Sequence, residues 1–344
     1  MRLRKALIPL LTMAVVAALA GCSSSPSSST SSSSSGTVAQ PKVAIILGGL
    51  ANDGGFNEEV ADPAKALEKA GKISLSIRES VTTPSDSEPI MRQYAAQGYN
   101  LVIAWGLDFS DSVFKVAQED PKTDFVATGG EAILKQATKN VETWTYSSEQ
   151  QGYLTGWIAG KANVSPVAVV DGELASFNEV TYKYLAYGLK ASNPKAKQLK
   201  SIFTGSWTDT SLANQAAKAQ IAAGAKLIVT GAEGYTPGVL AAAKQAGVAT
   251  LGASSTSSSD ASAVNIGLVA LDFGPSLEKI VANVKSGKFA NKSYISTIAN
   301  KGLVFQDLNP VSTAPGVTSA LSGEITQLGK DIVSGKVKIP ATLP

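Results

Sequence analysis

Histidine is absent from the 344-residue chain and cysteine occurs once. A histidine general base, a Ser–His or Cys–His nucleophile and a His/Cys zinc site are therefore excluded. Carboxylates and lysines remain, but no spacing singles one out for catalysis. The stretch of most chemical interest is "ANDGGFNEE" (Ala51–Glu59), directly after the apolar run "KVAIILGG" (Lys42–Gly49). It places Asp53, two glycines, Phe56 and Asn57 on one loop. Such a loop can offer a ligand a flat apolar face beside an amide edge. The plainer alternative is that Phe56 staples the following helix to the core. The spacing of "GGLANDGGFN" is wrong for the G-x-G-x-x-G dinucleotide fingerprint.

The elements that must position this loop follow from hydrophobic patterning. Short apolar runs at 42–47, 73–79, 101–105, 124–128, 141–146, 166–170, 199–204, 226–230, 248–252 and 264–270 read as strands. Helical runs lie between them, near 57–70, 84–97, 110–119, 148–162, 178–191, 211–223, 235–246, 273–286 and 317–334. Near-continuous apolar strands alternating with helices predict α/β architecture, with parallel sheets covered on both faces. Gly71, Gly98, Gly224 and Gly247 sit where helices need a left-handed cap. "AAQGYNLVIAWG" (Ala95–Gly106) and "IAAGAKLIVTGA" (Ile221–Ala232) share one layout, in opposite halves of the chain. So many parallel strands exceed a comfortable single sheet, which favours two similar lobes.

Ligands of such sheets bind beyond the carboxyl ends of the strands. Those positions here read "WGLDFSD" (Trp105–Asp111), "TGGE" (Thr128–Glu131), "DGELASFN" (Asp171–Asn178), "GSWTDTS" (Gly205–Ser211), "GAEGYT" (Gly231–Thr236) and "GASSTSSS" (Gly252–Ser259). Glycines, aromatics and small polar groups concentrate there, which describes a cleft with flat walls and a few hydrogen-bonding groups. The candidate ligand-binding residues are Asp53, Phe56, Asn57, Trp105, Asp108, Trp207 and Glu233. Trp207 could equally pack beneath its own loop.

The N-terminus has its own chemistry. "MRLRK" is a basic lead, "ALIPLLTMAVVAALA" is an apolar stretch, and "LAGC" ends it at Cys22. Residues 1–21 read as a signal peptide. Leu19–Cys22 resembles a lipobox, whose cysteine takes the lipid and anchors the chain without a spanning helix. The serine-rich 22–40 segment reads as a tether. The formal charge of the whole chain is +3, from 30 basic and 27 acidic residues. Three of the basic residues lie in the signal peptide, so the remainder balances to zero. With charged residues at only 17%, nothing indicates nucleic-acid binding.

At "DGGFN", "GYLTGWIAGK" (Gly152–Lys161), "GSWTD" (Gly205–Asp209), "AAKAQIAAGAKLIV" (Ala216–Val229) and "IVSGKVKIP" (Ile332–Pro340), the chain resembles the basic membrane protein family. Its members are lipoprotein substrate-binding subunits of ABC transporters, many of them receptors for purine nucleosides. The resemblance implies a type I periplasmic-binding-protein fold of two Rossmann-like lobes, with parallel sheets and a three-crossing hinge. Lobe one would span 40–144 plus 260–294, and lobe two 145–259 plus 295–344. It further implies that Phe56 stacks on a planar ligand, Asn57 bonds its edge, Asp53 accepts from ring N–H groups and Trp207 covers the opposite face. Two departures stand out. Gly129 and Ala253 occupy positions where members carry aspartate, and "GLVALDFGPS" (Gly267–Ser276) lacks an expected lysine. Asp108, Glu131, Glu233 and Ser254–Ser255 are candidate substitutes.

The function implied is a lipid-anchored binding protein on the extracytoplasmic face. It would pass a nucleoside, nucleobase or related heterocycle to ABC permease subunits. It would be a monomer, with no enzymatic activity, no cofactor, no metal and no nucleic-acid partner. A ligand-sensing lipoprotein acting with a membrane signalling receptor would use the same fold and pocket.

Overall fold

A computed structural model describes residues 38–343. The signal peptide, Cys22 and nearly all of the tether lie outside the described residues. The first lobe begins β1 (Lys42–Leu47), α1 (Glu58–Lys69), β2 (Ser74–Arg78), α2 (Pro84–Ala96), β3 (Leu101–Trp105), α3 (Ser110–Glu119), β4 (Asp124–Thr128) and β5 (Val141–Tyr146). The second lobe follows as α4 (Ser148–Lys161), β6 (Val167–Asp171), α5 (Ser176–Ser192), β7 (Ile202–Phe203), α6 (Thr210–Ala222), β8 (Leu227–Val229), α7 (Thr236–Ala246), β9 (Ala249–Leu251) and α8 (Ser259–Val264). The chain then recrosses through β10 (Leu268–Leu271) to α9 (Gly274–Ser286) and β11 (Ser293–Ser296), and returns through β12 (Leu303–Gln306) to α10 (Leu321–Val333).

The first sheet is entirely parallel, in the order β11-β5-β4-β3-β1-β2, and the second runs β7-β6-β8-β9. Numbered from its own first strand, each sheet reads 2-1-3-4 outward. The repeated layout seen in the sequence is therefore a repeated lobe. Strand periodicity explains the layering. Val43, Ile45 and Leu47 face one core with α1 and α9, while Ala44 and Ile46 face another with α2 and α3. In the second lobe Val167 and Val169 face α4 and α5, and Ala168 and Val170 face α6 and α7.

Three segments join the lobes: the turn between β5 and α4, then β10 and β12. The latter two pair antiparallel, from Leu268↔Gln306 to Leu271↔Leu303. This is the type I periplasmic-binding architecture. The expected lobe boundary at 260 is early. Ala261 and Val264 of α8 pack with Leu240 and Ala243 of α7, so α8 belongs to the second lobe and the crossing begins at β10. The strands β11 and β12 were not foreseen from the sequence.

The "GYLTGWIAGK" stretch is a helix–helix contact. A Cβ on Gly152 would lie 2.0 Å from the Thr181 carbonyl oxygen, and one on Gly156 2.0 Å from that of Leu185. The partner helix reciprocates at Gly188, where a Cβ would come 2.1 Å from the Tyr153 carbonyl oxygen. Helices α4 and α5 thus touch backbone to backbone. Among the described residues no helix is long and apolar enough to cross a membrane.

Candidate functional site

In each sheet the strand order reverses beside its first strand, so the loops after β1 and β3 face those after β6 and β8. The loop after β1 is folded by its own polar residues. One Asp53 carboxylate oxygen accepts from the Gly55 N–H at 3.0 Å and the Glu58 N–H at 3.2 Å. The other accepts from the Asn57 amide at 2.7 Å, while Asn57 Oδ1 accepts from the Gly49 N–H at 3.3 Å. Asn57 is only 5% exposed. This pair fixes the loop against the N-terminus of α1, where negative charge is favoured. Asn57 therefore shapes the loop, and its amide is not turned to the cleft.

Phe56 stacks on Trp105, with ring centroids 4.9 Å apart and planes 28° apart. The Trp105 indole N–H donates to the Phe56 carbonyl at 2.8 Å. Trp105 was expected to line the cleft, and the structure corrects this. It is 1% exposed, enclosed by Phe56, by Trp144 at 4.4 Å and by Phe273 at 4.8 Å. Its role is to hold Phe56 from beneath. The rings continue from Trp144 to Tyr146 at 6.1 Å, to Phe177 of the second lobe at 6.4 Å, and to Trp207 at 6.1 Å. Phe56 and Trp207 are thus the two ends of one aromatic run that crosses between lobes. Trp207 lies flat over Gly172, where a Cβ would come 2.3 Å from its ring.

Across the cleft the lobes touch backbone to backbone. The Phe56 N–H donates to the Ala232 carbonyl at 3.1 Å, and a Cβ on Gly55 would lie 1.5 Å from that same oxygen. Beside it is a cavity of about 670 Å³, lined by the β1 loop, the start of α1, the loops after β8 and β9, and the crossing strands. Asp53 and Glu233 line it, as does Ser254. Asp108 does not: it is exposed on the short 3-10 turn after β3, and Glu131 is likewise exposed. No positional reason brings either of them to the cleft.

The cavity's electrostatics were not anticipated. Burial raises the Glu59 carboxyl from its ordinary 4.5 to about 8, with Asp53, Asp272 and Glu58 adding repulsion against the relief of a Leu271 N–H. Burial also pushes Glu233 well above its usual range, reinforced by Asp53, Asp171 and Glu59. Asp171, at the end of β6, is raised by burial although it accepts from Tyr182 at 2.5 Å, Tyr235 at 2.6 Å, Gly172 at 2.8 Å and Asn178 at 3.3 Å. Glu59, Asp272, Tyr146 and Phe177 were missed in the sequence. Glu59 stood in view, two residues past Asn57, but nothing local marks it as facing a second lobe.

Residues 40–342 match the family described as ABC transporter substrate-binding protein, PnrA-like. The chain belongs to this family. The chain is similar to "ABC transporter nucleoside-binding protein BmpA" of Lactococcus lactis, 24% identical over 99% of this chain and 100% of that one. "Basic membrane protein A2" of Borrelia garinii is 25% identical over 87% of this chain and 88% of its own. Among solved structures, a solute-binding protein of an ABC transporter system from Conexibacter woesei superposes with a TM-score of 0.76. It is 33% identical, covering 87% of this chain and 98% of that one. A solute-binding protein from Aeropyrum pernix shares the fold at a TM-score of 0.71 and 18% identity, over 88% and 94% of the two chains. The chain is therefore an ABC transporter substrate-binding protein, not an enzyme.

Proposed function

We propose that this substrate-binding protein captures a small planar ligand, a nucleoside, nucleobase or related heterocycle, by closing its two lobes on it. The observation that carries this reading is the juncture at Phe56. Its ring is buttressed by Trp105 while its N–H reaches across to Ala232 beside the cavity. An aromatic whose backbone closes the lobes couples ring stacking to closure. Trp207, on the far side of the aromatic run, is the second stacking candidate. That the L. lactis relative is named a nucleoside-binding protein supports a nucleoside as one member of the class. Asp53 and Glu233 supply acceptors for ligand N–H groups, and neither Asp108 nor Trp105 takes part.

Cys22 would carry the lipid and hold the protein to the extracytoplasmic face of the membrane. The closed form would be read as a monomer by ABC permease subunits. The test is a thermal-shift panel on protein stripped of carried ligand by unfolding and refolding, with nucleosides, free nucleobases and other flat heterocycles. A ligand that binds the native state raises the melting temperature by mass action. The expected shift appears with at least one planar compound and is lost in Phe56→Ala. A panel without any shift removes the planar-ligand reading. Metabolic labelling with a palmitate analogue, lost in Cys22→Ser, tests the anchor.

A further inference from the structure

The cleft holds an imbalance that stacking does not use. Seven carboxylates line the cavity: Asp53, Glu58, Glu59 and Asp62 from one lobe, Glu233 from the other, and Asp272 and Asp307 beside the crossing strands. No lysine or arginine lines it. Five of the seven have local work. Asp53 and Glu58 fold the first loop, Glu58 accepting from the Gly54 N–H at 2.8 Å. Asp62 pairs with Lys65 at 3.2 Å, Asp272 accepts from the Gly274 N–H at 2.9 Å, and Asp307 accepts from the Ser254 hydroxyl. Glu59 uses one oxygen on the Leu271 N–H at 2.8 Å. Glu233 is bonded only through its backbone, its N–H donating to the Thr236 hydroxyl at 3.0 Å and its carbonyl accepting from the Thr236 N–H at 2.9 Å, and its carboxyl has no hydrogen-bond partner among the described residues.

These two carboxyls come from opposite lobes into one cavity, and their charged neighbours are all of one sign. Glu59 faces Asp53, Glu58 and Asp272, and Glu233 faces Asp53, Asp171 and Glu59. The phenol of Tyr146 faces both. Lys65, which pairs with the cavity-lining Asp62, is exposed. Closing lobes on a neutral ligand leaves such a pair either charged and repelling or held neutral by protons, whereas a cation favours the ionised form of both.

We propose that the ligand is a cation, received with its positive group between Glu59 and Glu233 as the lobes close. This rests on the capture of ligand in the cleft, and it names the chemical class: a planar amine, an amidine or a charged heterocycle. Protons balance as follows. In the empty cleft burial raises Glu59 to about 8, so its carboxyl keeps its proton near neutrality, and burial raises Glu233 in the same direction. Each carboxyl that ionises against the cation releases one proton to solvent, so binding strengthens as pH rises toward 8.

The test uses the full chain, purified in detergent and stripped of ligand by unfolding and refolding. Three probes are titrated calorimetrically: adenosine, 1-methyladenosine, which has nearly the same shape but is a cation at neutral pH, and agmatine, a cation without a ring. Each titration is repeated in two buffers of different ionisation heat, which counts released protons. We expect 1-methyladenosine to bind about tenfold or more tighter than adenosine, with protons released. Glu233→Gln should lower the preference for 1-methyladenosine over adenosine by about tenfold. Glu59→Gln is the second variant should Glu233→Gln fail to fold. Proton release is a readout that a merely structural role for either residue would not supply. Adenosine binding as tightly as 1-methyladenosine overturns the assignment and leaves the planar-ligand reading standing. Cation binding without proton release, and indifferent to both variants, also overturns it. Agmatine binding alone supports the cation and removes the planar ring. Failure of all three probes overturns the assignment.

Discussion

Gly55→Ala isolates lobe closure from everything else the protein does. The added methyl would sit 1.5 Å from the Ala232 carbonyl oxygen and 2.2 Å from its carbon. A carbon–oxygen contact needs about 3 Å, so one lobe must retreat by roughly 1.5 Å at a contact of backbone against backbone. The 3.1 Å bond from the Phe56 N–H to Ala232 cannot survive that retreat. Overpacking costs about 1–3 kcal/mol and the lost bond about 0.5–1.5 kcal/mol, so the closed state loses about 2–4 kcal/mol. At about 1.4 kcal/mol per factor of ten, ligand affinity falls roughly 30- to 1000-fold. The open state never makes this contact. Residue 55 has no left-handed backbone conformation there, so alanine is tolerated and narrows the unfolded ensemble. The ligand-free melting temperature should therefore stay level or rise slightly while affinity collapses. Calorimetric titration with a compound that stabilises the parent protein gives the affinity, and a thermal scan without ligand gives the fold. Affinity within about threefold of the parent would mean that the contact between Gly55 and Ala232 is no part of the ligand-bound state, and the coupling argument would fail.

Other perturbations separate scaffold from site. Gly156→Ala puts a methyl 2.0 Å from the Leu185 carbonyl oxygen and should cost about 1–3 kcal/mol by denaturant titration, with affinity in the folded fraction unchanged. Trp105→Phe keeps a ring under Phe56 but removes the 2.8 Å donation to its carbonyl, so affinity should fall about three- to tenfold by calorimetry. Asp209→Ala removes the α6 cap, which accepts from Ser211 at 2.8 Å and Leu212 at 3.0 Å, and should lower stability by about 1 kcal/mol in chemical denaturation. Glu142 is fully buried on β5, and burial raises it from 4.5 to about 7; Asp124 on β4 is raised to about 7 by burial and by Glu142. Both bind protons more tightly folded than unfolded, so their stabilising contribution is full at acid pH and is lost as pH rises through about 7. Denaturant titrations between pH 5 and pH 8 should show stability falling, and Glu142→Gln should flatten the fall and raise stability at pH 8 by on the order of 3 kcal/mol.

The elements that sequence reading recovers are those whose pattern is local. β3 and β6 are buried along their whole length and β1 everywhere but Lys42, so apolar runs reveal them, and the repeated helix–Gly–strand layout anticipates two sheets of the same order. β11 and β12 escape because each is four residues long and mixes exposed with buried positions, so their apolar runs are too short to stand out. The candidate loops are legible for the same reason as the strands: they begin where a strand ends. The fate of a side chain within a loop is not. Trp105 reads like a wall residue, yet Phe273, brought in by the second crossing, helps seal it. The glycines of "GYLTGWIAGK" carry the family resemblance, but their work is to let α4 meet α5.

The convergence of carboxylates is illegible for a deeper reason, and it bears on how closure is controlled. Glu59, Glu233 and Asp272 lie on three segments far apart in the chain, and the fold brings them into one cavity. Burial raises Glu59 and Glu233 there and sets them among like charges, which disfavours the closed cleft unless protons or a ligand compensate. The bond between Phe56 and Ala232 returns only about 0.5–1.5 kcal/mol. Closure is therefore poised to depend on what enters the cleft, since a ligand shifts the lobes only by its differential affinity for the closed form. The carboxyls that the empty cleft holds at a cost are then what make the filled one informative to a permease.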